Sequence, residues 1–185
     1  MYLITGLGNP GRSYSNNRHN VGYMLVDLMA AEAGRKFKRR GSHSLTCSVE
    51  RAGEEVILAK PQTYMNLSGR AVQELLEHYP VDVPQLLIVY DELALPLGTL
   101  RIRPSGSSSG QKGMRSIIEA LGTQDVPRLR IGILQGEPPD DYSAFVLDDF
   151  RKGERKVIEE TLDCAIKAID TLVSDGIEQA MSIYN

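Results

Sequence analysis

The sequence is short of several things, and each shortage excludes a class of protein. Its 185 residues hold two cysteines, Cys47 and Cys164. Neither a disulfide framework nor a thiolate metal cluster can be built from them, and such usage suits a reducing compartment, with the cytoplasm as the expected location. No apolar run approaches the ~20 residues of a membrane span, so no membrane partner is expected. The opening MYLITGLGNPG has neither a basic n-region nor a cleavage site, and no signal peptide is read there. The three histidines, His19, His43 and His78, lie far apart without HxxxH or HxH spacing, so no metal site and no cofactor are expected. Excess positive charge is missing too. Lys and Arg number 21 against 24 Asp and Glu, a net charge of -3, which at face value argues against a nucleic-acid binder.

Splitting the chain changes that last inference. Residues 1–131 carry 16 basic against 12 acidic side chains, a balance of +4, while residues 132–185 carry 5 against 12, a balance of -7. The run Arg35–Arg40 with Arg101, Arg103, Lys112, Arg115, Arg128 and Arg130 could supply a basic face, although such runs are more often solvated surface.

What is present is an alternation of strand and helix patterns. Tyr2–Leu7 reads as a buried strand that breaks at glycine. Val21, Met24, Leu25, Leu28 and Met29 share one helical face, in a helix ending at Gly34. Leu45–Glu50 and Val56–Ala59 read as strands joined by the turn Ala52-Gly53-Glu54, and Lys60–Asn66 as a loop. Asn66 or Ser68 is expected to cap a helix that stops before Pro80. Leu86–Tyr90 is the most apolar strand and delivers Asp91 at its end. Thr99–Arg103 and Leu129–Leu134 are further strands, separated by a Gly/Ser-rich loop and a helix carrying Ile117, Ile118 and Leu121. A polar linker, Glu137–Asp141, precedes one long C-terminal helix. The expected fold is a single α/β domain over residues 1–185, with a central mixed, largely parallel, twisted sheet flanked by helices. Functional loops then gather at the carboxyl ends of the strands, after Gly6, Ala59 and Tyr90.

Three motifs look functional and fail on context. Gly6, Gly8 and Gly11 spell G-x-G-x-x-G, but a long polar loop follows where a dinucleotide fold needs a helix. Gly106–Gly110 spells G-x-S-x-G, yet all three histidines lie upstream of the serine. The same loop with Lys112 misses the phosphate-binding P-loop pattern, because Gln111 intervenes and Gly113 follows.

One constellation survives. His19 sits on a polar loop with Asn9, and Asp91 ends the central strand where it could reach the same cleft. A carboxylate beside histidine fixes its tautomer and favours the imidazolium formed when it takes a proton. Asn9 and Asn66 add carboxamides that can hydrogen-bond a carbonyl or a tetrahedral oxyanion. His43 and His78 are read as structural or surface residues. With no supported Ser or Cys nucleophile, the residues point to a hydrolase in which His19 activates water.

The segments GLGNPG (6–11), RHNVG (18–22), KPQTYMNLSG (60–69), YDELALPLGTLRIR (90–103) and LGTQDVPRLRIGI (121–133) together resemble bacterial-type peptidyl-tRNA hydrolases, in that family's order and spacing. The resemblance implies hydrolysis of the ester between a peptide and the terminal ribose of tRNA, by a metal-independent enzyme acting as a monomer without an obligate protein partner. It implies His19 as catalytic base, Asp91 as its orienting partner, and Asn9 as the residue that distinguishes an acylated amino group. Asn66 would bind the peptide or ester region, and Tyr14, Tyr64 and Met65 would line the site. Arg103 and Arg130 would hold the tRNA 5′-phosphate, and residues 138–144 match a mobile lid.

One departure stands out. The family typically carries His-Asn-Gly where this chain has Gln111-Lys112-Gly113. Lys112 could supply a cation to the tRNA backbone or the oxyanion, or could repel the His19 imidazolium. A smaller difference is Ala94, where the family often has an acidic residue. The rival expectation is an RNA-binding relative that keeps the fold with weakened or lost catalysis.

Overall fold

A computed structural model of the chain describes residues 1–41 and 43–185, apart from the side chains of Arg39 and Arg40. Among these residues, seven strands form one mixed sheet: β1 (Tyr2–Gly6), β2 (Lys38–Arg40), β3 (Ser44–Arg51), β4 (Glu54–Pro61), β5 (Leu86–Pro96), β6 (Leu100–Arg103) and β7 (Arg128–Leu134). Their order across the sheet is β2-β3-β4-β1-β5-β7-β6. The four central strands run parallel, and the antiparallel pairs lie toward the two edges. The helices are α1 (Val21–Glu32), α2 (Ser68–His78), α3 (Lys112–Leu121), α4 (Tyr142–Leu147), α5 (Lys152–Asp175) and α6 (Ile177–Tyr184).

The central strands are apolar on both faces, as parallel strands covered on both sides must be. On β5, Leu86, Ile88 and Tyr90 pack with Met114 and Ile117 of α3 and Val72 and Leu75 of α2. The alternate residues Leu87 and Val89 pack with Leu25 and Met29 of α1 and Leu162 and Ile166 of α5. The β3–β4 turn places Ala52 and Gly53 at φ 50° and 79°, the left-handed pair that a tight hairpin demands.

Several boundaries differ from the sequence reading. Lys60 and Pro61 belong to β4, and Met65–Leu67 is a 3-10 turn, so the expected 60–66 loop is shorter. Neither Asn66 nor Ser68 caps α2: residue 67 precedes the helix without a side-chain cap, and the Ser68 hydroxyl donates to the Met65 carbonyl. Part of the basic run forms β2, paired with β3. Strand β5 continues past Asp91 to Pro96, with its register against β7 broken after Glu92. The single expected C-terminal helix is two, because Gly176 (φ 89°, ψ 168°) turns the chain between α5 and α6. That turn lets Asn185 reach the sheet edge, where its side chain accepts from the Ile102 amide and donates to the Ile102 carbonyl.

The loop before α1 is clamped from the C-terminal side. Arg18, buried at 1% exposure, donates to the Glu154 carboxylate at 2.7 Å and to the carbonyls of Phe145 and Asp148. Its guanidinium lies 4.3 Å from the centre of the Phe145 ring. The Asn17 side-chain amide donates to the Leu147 carbonyl, and Asn17 bridges Asp149 through the backbone. Glu154 also accepts from the Arg151 amide, so one carboxylate both starts α5 and holds Arg18.

Two stability predictions follow from this packing. A methyl group on Gly22 would meet the Val89 carbonyl oxygen and the Leu7 amide. Gly22→Ala should therefore cost about 3 kcal/mol in urea unfolding, the upper end of the range for overpacked cores. Glu154→Gln, which leaves the buried Arg18 without a counter-charge, should cost about 3–5 kcal/mol. A loss below about 1 kcal/mol would show that the pair contributes little.

Candidate active site

The site begins where α1 lies directly on the sheet. Gly6 ends β1, and a side chain there would strike the Gly22 carbonyl. The Leu7 amide donates to the Val89 carbonyl at 2.9 Å, and Gly6 is level with Val89 in the sheet. The 3-10 turn Arg18–Asn20 ends just before α1 starts, and Asp91 lies two residues beyond Val89. The backbone contact thus sets the spacing of His19 and Asp91.

The His19 Nδ1 and an Asp91 carboxylate oxygen are 2.8 Å apart, with the two residues 8% and 3% exposed. An ionised carboxylate can only accept, so Nδ1 carries the hydrogen and the Nε2 lone pair is left to act as acceptor or base. Nε2 has no partner among the described residues. The sequence reading placed Asp91 at a strand end; it lies instead within β5, held in register with Ile131 of β7.

Asn9 is fixed on three sides. Its amide donates to the Asn20 side-chain oxygen at 2.8 Å, and the Asn20 side-chain amide donates back to the Asn9 carbonyl at 2.9 Å. Its side-chain oxygen accepts from the Met65 amide at 2.9 Å. The Met65 bond fixes which way the carboxamide faces and leaves the Asn9 Nδ2 donors, without a partner among the described residues, available to a ligand. Met65 is buried and joins this cluster, while Tyr64 and Asn66 flank it and are exposed, Tyr64 at 58%. Tyr14 is half-buried on the 3-10 turn Arg12–Tyr14, in the loop shared by Asn9 and His19.

Gln111 enters the same cluster from α3. Its side-chain oxygen accepts from the Met114 amide at 2.7 Å, capping the helix. Its Nε2 donates to the second Asp91 oxygen at 3.1 Å and approaches the Met65 sulfur at 3.4 Å. Lys112, the next residue, is exposed on the first turn of α3.

Arg103 and Arg130 lie elsewhere. Pairing of Arg101 with Arg130 and of Arg103 with Arg128 puts all four on the sheet face that carries Tyr90, beside the outer edge. Arg130 donates to Glu92 at 3.1 Å. Arg128 is buried and donates to the carbonyls of Gly106, Ser107, Gln124 and Val126, which shapes the serine loop. Burial pushes the Tyr90 hydroxyl up to about 12 and the Arg128 guanidinium down, both within reach of this cluster. These arginines therefore stand on the sheet face opposite that of Asp91, which alternates with Tyr90 along β5. The side chains of Arg39 and Arg40, also proposed for the basic face, lie outside the described residues.

The polar linker leads into a short helix that the sequence reading missed. Asp141 caps α4 by accepting from the amides of Ser143 and Ala144. Tyr142 and Leu147 on it are exposed at 54% and 44%. Of the other histidines, His43 bonds Glu74 and His78 packs edge-on against Tyr79, as expected of structural residues.

Sequence reasoning quoted Asn20 and Arg18 without giving either a role. The only signal for Asn20 was its place as the last of four asparagines, Asn9, Asn16, Asn17 and Asn20, in one loop. For Arg18 there was none, because arginine is ordinarily assigned to solvent.

The family model described as Peptidyl-tRNA hydrolase matches residues 3–185. A peptidyl-tRNA hydrolase of Carboxydothermus hydrogenoformans is 46% identical over all of this chain and 98% of its own length. One from Alkaliphilus metalliredigens is 44% identical, covering both chains in full. The crystal structure of peptidyl-tRNA hydrolase from Acinetobacter baumannii superposes with a TM-score of 0.92 at 32% identity, covering all of this chain and 96% of that one. The motifs, the sheet and these relatives agree from end to end: the chain belongs to the peptidyl-tRNA hydrolase family.

Proposed function

We propose that the chain hydrolyses the ester joining a peptide, or an N-acylated amino acid, to the terminal ribose of tRNA. The observation that carries this reading is the buried His19–Asp91 pair, with Nε2 of His19 left without a partner among the described residues. Water attacks the ester carbonyl carbon as Nε2 takes its proton, forming a tetrahedral oxyanion and an imidazolium opposed by Asp91. The carbon–oxygen bond to the ribose then breaks, and the imidazolium returns the proton to the ribose oxygen. The products are tRNA with a free terminal hydroxyl and a peptide carboxylic acid, which releases its remaining proton to solvent. No step calls for a metal ion.

The Asn9 Nδ2 donors serve the carbonyl oxygen or the acylated amide of the substrate. Tyr14, Tyr64, Met65 and Asn66 line the peptide and terminal nucleotide, with α4 as a lid whose exposed Tyr142 and Leu147 face incoming substrate. Arg103 and Arg130 hold the 5′-phosphate, Glu92 keeping Arg130 aligned until the phosphate arrives. Lys112 contacts the tRNA backbone. The chain works as a monomer in the cytoplasm and needs no membrane; no described helix is long and apolar enough to cross one.

With N-acylated aminoacyl-tRNA and chelator present, wild type should release the acylated amino acid. His19→Ala should lower kcat by about 10²–10⁴-fold, the range for loss of a general base, with the fold kept as read by circular dichroism. An unchanged rate would overturn the mechanism, and tRNA binding without hydrolysis by wild type would favour the non-catalytic relative. A second outcome concerns binding. Since the chain carries a net charge of -3, with Arg18, Arg51, Arg128 and Arg130 already bonded within the fold, the slope of log affinity against log salt should be shallower than about -4.

A further inference from the structure

We propose that Gln111 is a positioning residue of the reaction: it fixes Asp91, and through Asp91 the ring of His19, with a donor that cannot ionise. The proposal rests on the hydrolytic reading of the His19–Asp91 pair. It goes beyond that reading by assigning the residue at which this chain departs from the pattern it resembles.

The helix cap fixes which way the Gln111 carboxamide faces. The Met114 backbone N–H can only donate, so the Gln111 atom 2.7 Å away must be the carboxamide oxygen. That orientation leaves the NH2 group directed at the Asp91 carboxylate, 3.1 Å from the oxygen that does not bond His19. Both carboxylate oxygens are then engaged, one by each partner, and the carboxylate plane is held from two sides. Gly113 allows this approach, because a side chain there would strike the Met65 sulfur and the Leu7 side chain. Without Gln111, Asp91 could rotate about its own side chain and carry the imidazole with it.

A neutral donor also keeps the electrostatics simple. Elsewhere around the pair, α1 commits Asp27 to Lys60 and Glu32 to Arg51, and Glu154 holds Arg18. On β5, Glu92 is paired with Arg130 of β7, while the other β7 cation, Arg128, is turned to backbone carbonyls. Helix α4 carries no charged residue between Asp141 and Asp148, and Asp148 and Asp149 are exposed. Lys112 is exposed on α3. The carboxylate beside His19 is therefore that of Asp91 alone, and Gln111 stabilises its ionised form without adding a second titrating group.

The two roles of Gln111 separate cleanly by substitution. Gln111→Glu keeps an oxygen to accept from Met114 and so keeps the cap, but replaces the donor to Asp91 with a second carboxylate. Gln111→Met keeps the length and loses both bonds. Both variants should lower kcat roughly 10–100-fold, as loss of a residue orienting a reacting group does, with little change in KM. In Gln111→Glu alone, the extra negative charge should move the acid limb of the pH–rate profile upward by about one pH unit. The His19 ring titration followed by NMR should move in the same direction. Thermal unfolding should fall in both variants, in Gln111→Met through the lost cap and in Gln111→Glu through repulsion from Asp91, so the pH profile and the His19 titration are what separate a positioning role from a cap.

If Gln111→Glu matches wild type in kcat and in the His19 titration, Gln111 is only a helix cap and the proposal is overturned. If wild type fails to hydrolyse the ester, the hydrolytic reading fails. The NMR titration would still show whether Gln111 governs the Asp91–His19 pair.

Discussion

The first turn of α1 rests on bare backbone. Gly22 lies against the Val89 carbonyl and the Leu7 amide, and Gly6 against Gly22 in turn. Any side chain in that contact would lift the helix by the width of a methyl group or more. Because His19 sits three residues before Gly22 and Asp91 two after Val89, that displacement would open the 2.8 Å bond between them. Of the glycines that mimic a nucleotide-binding fingerprint in sequence, Gly6 is thus needed for a different close approach, strand against helix, while Gly8 lies against the Tyr23 ring and Gly11 turns the chain at φ 115°. The His19–Asp91 pair inherits its spacing from main-chain atoms, which do not change rotamer.

A second layer fixes orientation. Asn9 and Asn20 exchange two hydrogen bonds, and Asn9 ties the first loop to the 3-10 turn at Met65. Arg18 joins the same loop to α4 and α5 through a buried ion pair and two carbonyls. The elements around His19 come from five separate stretches of chain, and polar side chains connect them. Such networks have only a modest net effect on stability when satisfied, and are costly when one member is removed. They restrict the arrangement of the site more than they stabilise the fold.

Much of this was legible in the sequence, and the failures have physical causes. The central strands were evident because parallel strands buried on both faces need continuous apolar runs, as in Leu86–Tyr90. The approach of His19 to Asp91 was legible because a polar loop follows one buried strand and a carboxylate interrupts the apolar run of another. The edge strand β2 was missed because three basic residues show no alternation and are strand only by pairing with β3. Helix α4 was missed because one and a half turns are too short for periodicity. The break at Gly176 lies inside a run whose apolar spacing continues across it, and only the left-handed backbone there separates two helices. Gln111 was noticed as a departure, but its capping and bridging geometry depends on where α3 begins relative to β5.

The turn at Gly176 has an effect at the far edge of the sheet. It brings Asn185 alongside β6, where one carboxamide occupies both the N–H and the C=O of Ile102. An exposed edge strand is a template on which another extended chain can add. Here the template is already filled at its middle by a single side chain. The strand that displays Arg101 and Arg103 is thereby closed to strand addition by a second molecule, and its arginine-bearing face can stay open to solvent without the edge beside it becoming a site of aggregation.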